Sequence, residues 1–185
     1  MSTGAVVLAA GASARLGRPK QLVTVQGETL VHRAARLALE AGCNPVVVVE
    51  GAVPLAQALA DLPADVVRCA EWARGPGATL KRGVAHVQGM VEGVLVLLVD
   101  QPGVEVDDLR RLLLAPGAVA AAHYDGVLGV PARFSTTRFA ALASLPDERG
   151  AGPWLQAHAG EVTAVPMPNA SRDVDTPDDV AALKG

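Results

Sequence analysis

Six consecutive apolar residues, Val94-Leu95-Val96-Leu97-Leu98-Val99, place a hydrophobic side chain on both faces of an extended chain. Only a strand covered on both sides can use such a run. Three more apolar runs bounded by turn residues, Ala5 to Ala10, Pro45 to Val49 and Asp65 to Cys69, alternate with stretches of helical spacing. Helices are expected at Thr29 to Ala41, stopped by Gly42, and at Val53 to Ala60, Ala78 to Val87 and Val106 to Leu114. Four βα units therefore precede residue 115, and they predict an α/β fold: a Rossmann-like three-layer sandwich around a mostly parallel sheet.

The remainder is less regular and makes the sheet mixed. Ala118 to His123 and Val127 to Pro131, joined through Tyr124-Asp125-Gly126, read as a hairpin. Short helices are expected near Thr136 to Ser144 and Pro153 to Ala159, then a strand at Val162 to Pro166 and a last helix at Pro177 to Leu183. With 185 residues, half of them hydrophobic, and no Pro, Gly or Ser tract dividing them, residues 1–185 are expected to form one domain. Cys43 and Cys69 sit in apolar surroundings, as reduced buried thiols of a cytoplasmic protein would. The first apolar run lacks a preceding cationic region and is too short to span a bilayer, so neither a signal peptide nor membrane attachment is expected.

The first strand opens into Gly11-Ala12-Ser13-Ala14-Arg15-Leu16-Gly17-Arg18-Pro19-Lys20. Small residues let the backbone approach a ligand and turn N–H groups toward it, while Arg15, Arg18 and Lys20 supply charge that neutralises a polyphosphate. Gly17 is suited to a conformation that side chains disfavour. The bland alternative is a surface turn after a first strand. Gln21 follows Lys20 where a Walker A loop needs Ser or Thr, and the Gly-x-Gly-x-x-Gly spacing is missing, which counts against a P-loop NTPase and a simple NAD enzyme. The net charge is -3 and the basic residues are otherwise scattered, so no nucleic-acid or anionic-membrane footprint is present.

Asp100 ends the central strand and should lie at the carboxyl edge of the sheet, where open α/β folds bind ligands. A carboxylate facing a triphosphate there calls for a divalent cation between them, and Mg²⁺ fits; the alternative makes Asp100 a turn cap. A second acidic cluster runs Asp173-Val174-Asp175-Thr176-Pro177-Asp178-Asp179. Thr176 suits an N-cap, Pro177 the first helical position, and Asp178 and Asp179 the first turn. Asp173 and Asp175 precede the helix and, if extended, point to one side, so they are the pair free to join Asp100 on a metal, with Asp175 favoured. His32 and His86 fall in expected helices and His123 and His158 have no ligand spacing, so all four are read as structural. Trp72, Trp154 and Phe134 are read as packing residues.

The chain resembles the MobA-like branch of nucleotidyltransferases, and most closely molybdenum cofactor cytidylyltransferases. The resemblance rests on the opening loop, Glu71-Trp72 followed by Gly75 to Gly83, Val-Asp-Gln-Pro at 99 to 102 and Asp-Val-Asp-Thr-Pro-Asp-Asp at 173 to 179, in that order. It implies a nucleotide-diphospho-sugar transferase-like fold in which the backbone of Leu8, Ala9, Ala10 and Gly11 contacts base and sugar. Arg15 and Lys20 would hold the phosphates, Thr79 would approach the nucleotide, and Asp100, Asp175 and Asp173 would place Mg²⁺. Ala10-Gly11, where guanine-using members carry Gly-Gly, implies CTP. Two departures stand near the expected acceptor site: Gly129-Val130-Pro131 lacks the family's histidine, and Pro146 to Gly152 replaces its Gly-Asp-x-Gly-Ala-Arg segment.

The resulting expectation is a Mg²⁺-dependent transfer of a nucleoside monophosphate, CMP from CTP, to a phosphorylated acceptor such as molybdopterin, with release of pyrophosphate. Arg15, Lys20 and Asp100 would be catalytic, and a molybdoenzyme would receive the product. Two alternatives are a sugar- or polyol-phosphate nucleotidyltransferase and a nucleotide-binding regulator of cofactor insertion that has lost catalysis.

Overall fold

The computed structural model of the chain describes residues 2–183. The first strand, β1 (Thr3–Ala9), leads through a 3₁₀ turn at Lys20–Leu22 into a small hairpin, β2 (Thr24–Val25) and β3 (Glu28–Thr29), and then helix α1 (Leu30–Glu40). Strands β4 (Val46–Glu50) and β5 (Asp65–Arg68), helix α2 (Pro76–Val87), strand β6 (Gly93–Leu98) and helix α3 (Val106–Leu114) follow. The second half comprises β7 (Val119–Tyr124), β8 (Val127–Ser135), α4 (Phe139–Ala143), α5 (Ala151–Ala157), β9 (Thr163–Pro166) and α6 (Pro177–Ala182).

Seven strands make one sheet in the order β5-β4-β1-β6-β8-β7-β9. Only β8 runs antiparallel to its neighbours, so the sheet is mixed but mostly parallel, as expected. The side chains divide with period two. Ala5, Val7, Val46, Val48, Leu95 and Leu97 join α1, α3 and α6 on one face, while Val6, Val47, Val49, Val94 and Val96 join α2, α4 and α5 on the other. This is the expected three-layer sandwich. The chain leaves β1 toward β4 on one side and later enters β6 on the other, so the topological switch lies between the carboxyl ends of β1 and β6.

Three expected elements differ from the structure. The helix expected at Val53 to Ala60 is only a 3₁₀ turn at Ala56–Leu59, entered where the Glu50 carboxylate accepts the Leu55 N–H at 2.7 Å. The hairpin strand expected to end at Pro131 continues to Ser135, since Val130 and Pro131 fall in a bulge between the pairs Ala122–Gly129 and Ala121–Ala132 and the missing donor is tolerated there. The helix expected at Thr136 to Ser144 begins as a 3₁₀ turn at Thr136–Arg138 and becomes α-helical only at Phe139. Both cysteines are free and buried, and burial pushes the Cys43 thiol up to about 12. No helix among the described residues is long and apolar enough to cross a membrane.

Candidate active site

A cavity of about 280 Å³ opens at the switch point. The carboxyl end of β1 and its loop contribute Leu8, Ala10 and Gly11; the carboxyl end of β6 contributes Leu98, Val99 and Asp100; the segment entering α2 contributes Trp72, Ala73, Gly75, Pro76 and Thr79; Lys20 completes the wall. Leu8, Ala10, Gly11, Lys20, Thr79 and Asp100 thus meet around one space. Ala9 does not line it: Ala9 is buried, and its carbonyl accepts from the Gln21 amide at 2.8 Å. Thr79 is also buried, with its hydroxyl 3.4 Å from the Gly75 carbonyl.

Lys20 joins the two acidic segments. Its Nζ donates to Asp100 Oδ2 at 2.7 Å and to Asp175 Oδ1 at 3.2 Å, and the exposed Arg15 guanidinium reaches Asp175 Oδ2 at 3.1 Å. Burial opposes the Lys20 charge, but Asp100 and Asp175 outweigh it and its pKa is raised. The backbone carries Asp175 to this place because the Val174 N–H donates to the Asp100 carbonyl at 2.9 Å, pinning the tail against the end of β6. Beyond it, Thr176 caps α6 as the sequence suggests, and Asp179, expected in the first turn, also closes a capping box. The Asp173 carboxyl is pushed up to about 6, first by its own loss of water and then by the negative Asp100 and Asp175 nearby.

A divalent cation suits these residues in one specific respect. Asp100 Oδ1 is buried and has no hydrogen-bond partner, so a carboxylate oxygen beside Lys20 and Asp175 is unsatisfied by the protein. Among the described residues no three His, Cys, Asp or Glu side chains converge as a ready metal-binding set. Asp100 and Asp175 are brought together by Lys20, with Asp173 to one side; Lys20 and Arg15, expected to face phosphates, here neutralise carboxylates.

Sequence reasoning missed the placement of five residues. Trp72 packs against the core, as read from the sequence, and also lines the cavity, a placement that its position just before Gly75 could have suggested. Gln21 is fully buried beneath the loop. The Gln101 amide donates to the Val130 and Ala170 carbonyls at 2.9 Å each, tying the end of β6 to the β8 bulge and the tail; the Tyr124 hydroxyl donates to the same Val130 carbonyl at 3.2 Å. Asp147, in the divergent Pro146 to Gly152 segment, accepts the Gly77 and Ala78 N–H groups at its carbonyl, at 2.9 and 3.2 Å, and its carboxylate pairs with Lys81. That segment therefore caps the helix beside the cavity. The four histidines are not gathered at the cavity: His32 pairs with Glu28 and Asp61, His86 with Asp65, and His158 stacks on Trp154, whereas His123 is exposed on β7.

The profile of the MobA-like NTP transferase domain matches residues 5–162. Nicotine blue oxidoreductase of Paenarthrobacter nicotinovorans is 43% identical over 129 residues, 66% of this chain and 62% of that protein, so the chain spans less than two thirds of this relative. A probable molybdenum cofactor guanylyltransferase of a Nostoc species is 30% identical over 190 residues, covering 98% of this chain and 90% of the relative. The crystal structure of Rv0371c from Mycobacterium tuberculosis superposes with a TM-score of 0.80 at 32% identity, covering 99% of this chain and 97% of that one. A second structure of that protein, 29% identical with a TM-score of 0.76 over 99% of this chain and 98% of its own, is a complex with manganese.

Proposed function

The chain belongs to the MobA-like NTP transferase family and is an enzyme of the nucleotidyltransferase class, and from that premise we propose that it transfers CMP from CTP to a phosphorylated acceptor of the molybdopterin kind. The observation that carries this reading is the switch-point cavity, where Lys20 is shared by Asp100 and Asp175. An acceptor phosphate oxygen attacks the α-phosphorus, the new P–O bond forms as the bond to the β-phosphate oxygen breaks, and pyrophosphate leaves with its electron pair. Leu8, Ala10 and Gly11 seat the nucleoside, with Ala9 behind them, and Thr79 borders it; Arg15 and Lys20 turn from the carboxylates to the phosphates as negative charge builds on the leaving group. Asp100 and Asp175, with Asp173 adjacent, would hold Mg²⁺, which when bound neutralises charge on the triphosphate. No covalent nucleophile is required.

The cytidine assignment rests on Ala10, and the molybdopterin assignment on the relatives that carry that acceptor's name. The redox name of the Paenarthrobacter relative is not carried over, because the opening loop lacks dinucleotide spacing. A molybdoenzyme would take up the product. The test is pyrophosphate release from CTP, GTP and ATP with Mg²⁺, with and without molybdopterin. Acceptor-dependent release from CTP is expected. Release from GTP instead would overturn the base assignment, turnover only with sugar or polyol phosphates the acceptor, and nucleotide binding without release would favour a regulator that has lost catalysis.

A further inference from the structure

Gln21 is 1% exposed, follows Lys20 directly, and is surrounded by the loop that leaves β1. Its two amide hydrogens are both used: Nε2 donates to the Ala9 carbonyl at 2.8 Å and to the Gly11 carbonyl at 2.7 Å. Two carbonyl acceptors fix the orientation of the amide, since only the nitrogen can serve them. Its Oε1 accepts from the Ser13 hydroxyl at 3.4 Å, and that hydroxyl oxygen accepts the Lys20 backbone N–H at 3.0 Å. Ser13 has φ 55°, a left-handed conformation unusual for a side chain, and both of its hydroxyl contacts lead to the Lys20-Gln21 pair.

Counting backbone groups shows the effect. The Ala10 carbonyl accepts from the Ala52 N–H at 3.0 Å, and the Ser13 carbonyl from Leu16 and Gly17 at 3.1 and 3.2 Å. With Gln21 on Ala9 and Gly11, the carbonyls of Ala9, Ala10, Gly11 and Ser13 are occupied within the protein. Among the described residues, no protein acceptor meets the N–H groups of Ala12, Ser13, Ala14 or Arg15. A loop with these four acceptors engaged and successive donors free is a concavity for anions.

We propose that Gln21 is the positioning residue of this loop: it withdraws the Ala9 and Gly11 carbonyls and, through Ser13, fixes the start of Lys20, so that free N–H donors and the Lys20 ammonium are presented together to a polyphosphate. The inference rests on the nucleotide reading of the cavity. Gln21 touches no reacting atom; it acts through the backbone and Lys20, and its contribution should scale with the number of phosphates on the ligand.

The test is calorimetric titration, with Mg²⁺, of the full chain as wild type, Gln21→Met and Ser13→Ala. The ligands are the triphosphate the wild type prefers among CTP, GTP and ATP, and the di- and monophosphate of the same nucleoside; melting temperatures are recorded in parallel. Gln21→Met keeps the length of the side chain and removes both donors, so triphosphate affinity should fall about tenfold. Monophosphate affinity should stay within about twofold, because the nucleoside wall is built elsewhere, and Ser13→Ala should show the same graded pattern at smaller size. Equal losses for all three ligands, or a folded Gln21→Met protein that binds triphosphate like wild type, would overturn the proposal. If Gln21→Met does not fold, a Ser13→Ala protein with an unchanged ratio of triphosphate to monophosphate affinity overturns it equally. Wild type that binds none of the three triphosphates removes the nucleotide reading itself, and the proposal with it.

Discussion

Lys20 is the point at which charge and chemistry meet. Its ammonium lies between Asp100 and Asp175, in the role a divalent cation would take toward the same oxygens, so lysine and metal compete for those carboxylates. Replacing Lys20 by Met leaves Asp100 without its counter-ion and Asp175 with only the exposed Arg15, which favours any cation that can reach the two carboxylates. Manganese affinity of the nucleotide-free protein, followed by electron paramagnetic resonance, should therefore rise about tenfold in Lys20→Met while triphosphate affinity and turnover fall. Unchanged manganese binding would place the cation elsewhere. Asp100→Asn removes charge from a carboxylate with an unpartnered buried oxygen; turnover should drop by a factor of about 100 or more with the melting temperature nearly intact. Full activity would exclude Asp100 from the chemistry. The sequence reveals Lys20 and Asp100 separately, through a cationic loop and a strand end, but not their contact, because a pair separated by 80 residues leaves no local pattern.

At the scale of elements, the same contrast appears between β8 and α2. Arg133 lies near the end of β8, paired with Leu95 and Ala120, and is 2% exposed with no acidic partner among the described residues. Its Nε donates to the Leu112 carbonyl at 3.1 Å and its Nη2 to Ala115 and Gly117 at 2.9 Å each, so one guanidinium ties the last turn of α3 to the segment that follows it. Lysine has no planar fork to reach three carbonyls. Arg133→Lys should cost about 2–3 kcal/mol and Arg133→Met a comparable amount or less, measured by urea unfolding; stability equal to wild type in both would show that the carbonyls are satisfied without it. The start of α2 depends on a close approach. A Cβ on Gly77 would lie 2.0 Å from the Pro146 carbonyl oxygen and 2.5 Å from that of Arg149, both backbone atoms that cannot swing aside. Gly77→Ala should therefore displace the Pro146 to Gly152 segment and cost about 2 kcal/mol or more, with a loss of nucleotide affinity, since Gly75, Pro76 and Thr79 line the cavity. Retained stability and affinity would mean the segment moves freely. That segment is legible in the sequence only as a departure from a family pattern; its capping role is a tertiary contact.

Across the molecule, what was legible is what repeats. The strands of β1, β4 and β6 are apolar on both faces and could only be central, and their helices carry a periodic face, so the layers follow from patterning. The β4–β5 connection and the bulge at Val130-Pro131 were not legible, because a short segment between prolines and a strand that absorbs one are decided by what lies beside them. Long-range charge clusters are equally hidden, and one of them sets how stability responds to pH. Glu28 of β3 accepts from His32 and Arg36 of the α1 helix that follows it directly, while His32 also meets Asp61 in the β4–β5 connection, so the start of α1 and that connection are joined by alternating charge. The Arg36 hydrogen bonds, helped by His32, hold the Glu28 carboxyl down at about 2 although burial opposes them. Burial likewise opposes the His32 charge, but Glu28 and Asp61 outweigh it and raise its pKa. The signs are opposite. A depressed carboxyl stabilises the fold above its ordinary value of 4.5 and loses that contribution as pH falls toward 2. A raised imidazole stabilises fully below 6.5 and loses its contribution as pH rises through its higher folded value. His32→Gln should accordingly be less stable than wild type by about 1 kcal/mol at pH 5.5, about the lower edge of the histidine range, and by less at about pH 9. Chemical unfolding at the two pH values measures the gap directly; a deficit that is the same at both would mean that the imidazolium does not hold α1 to the β4–β5 connection.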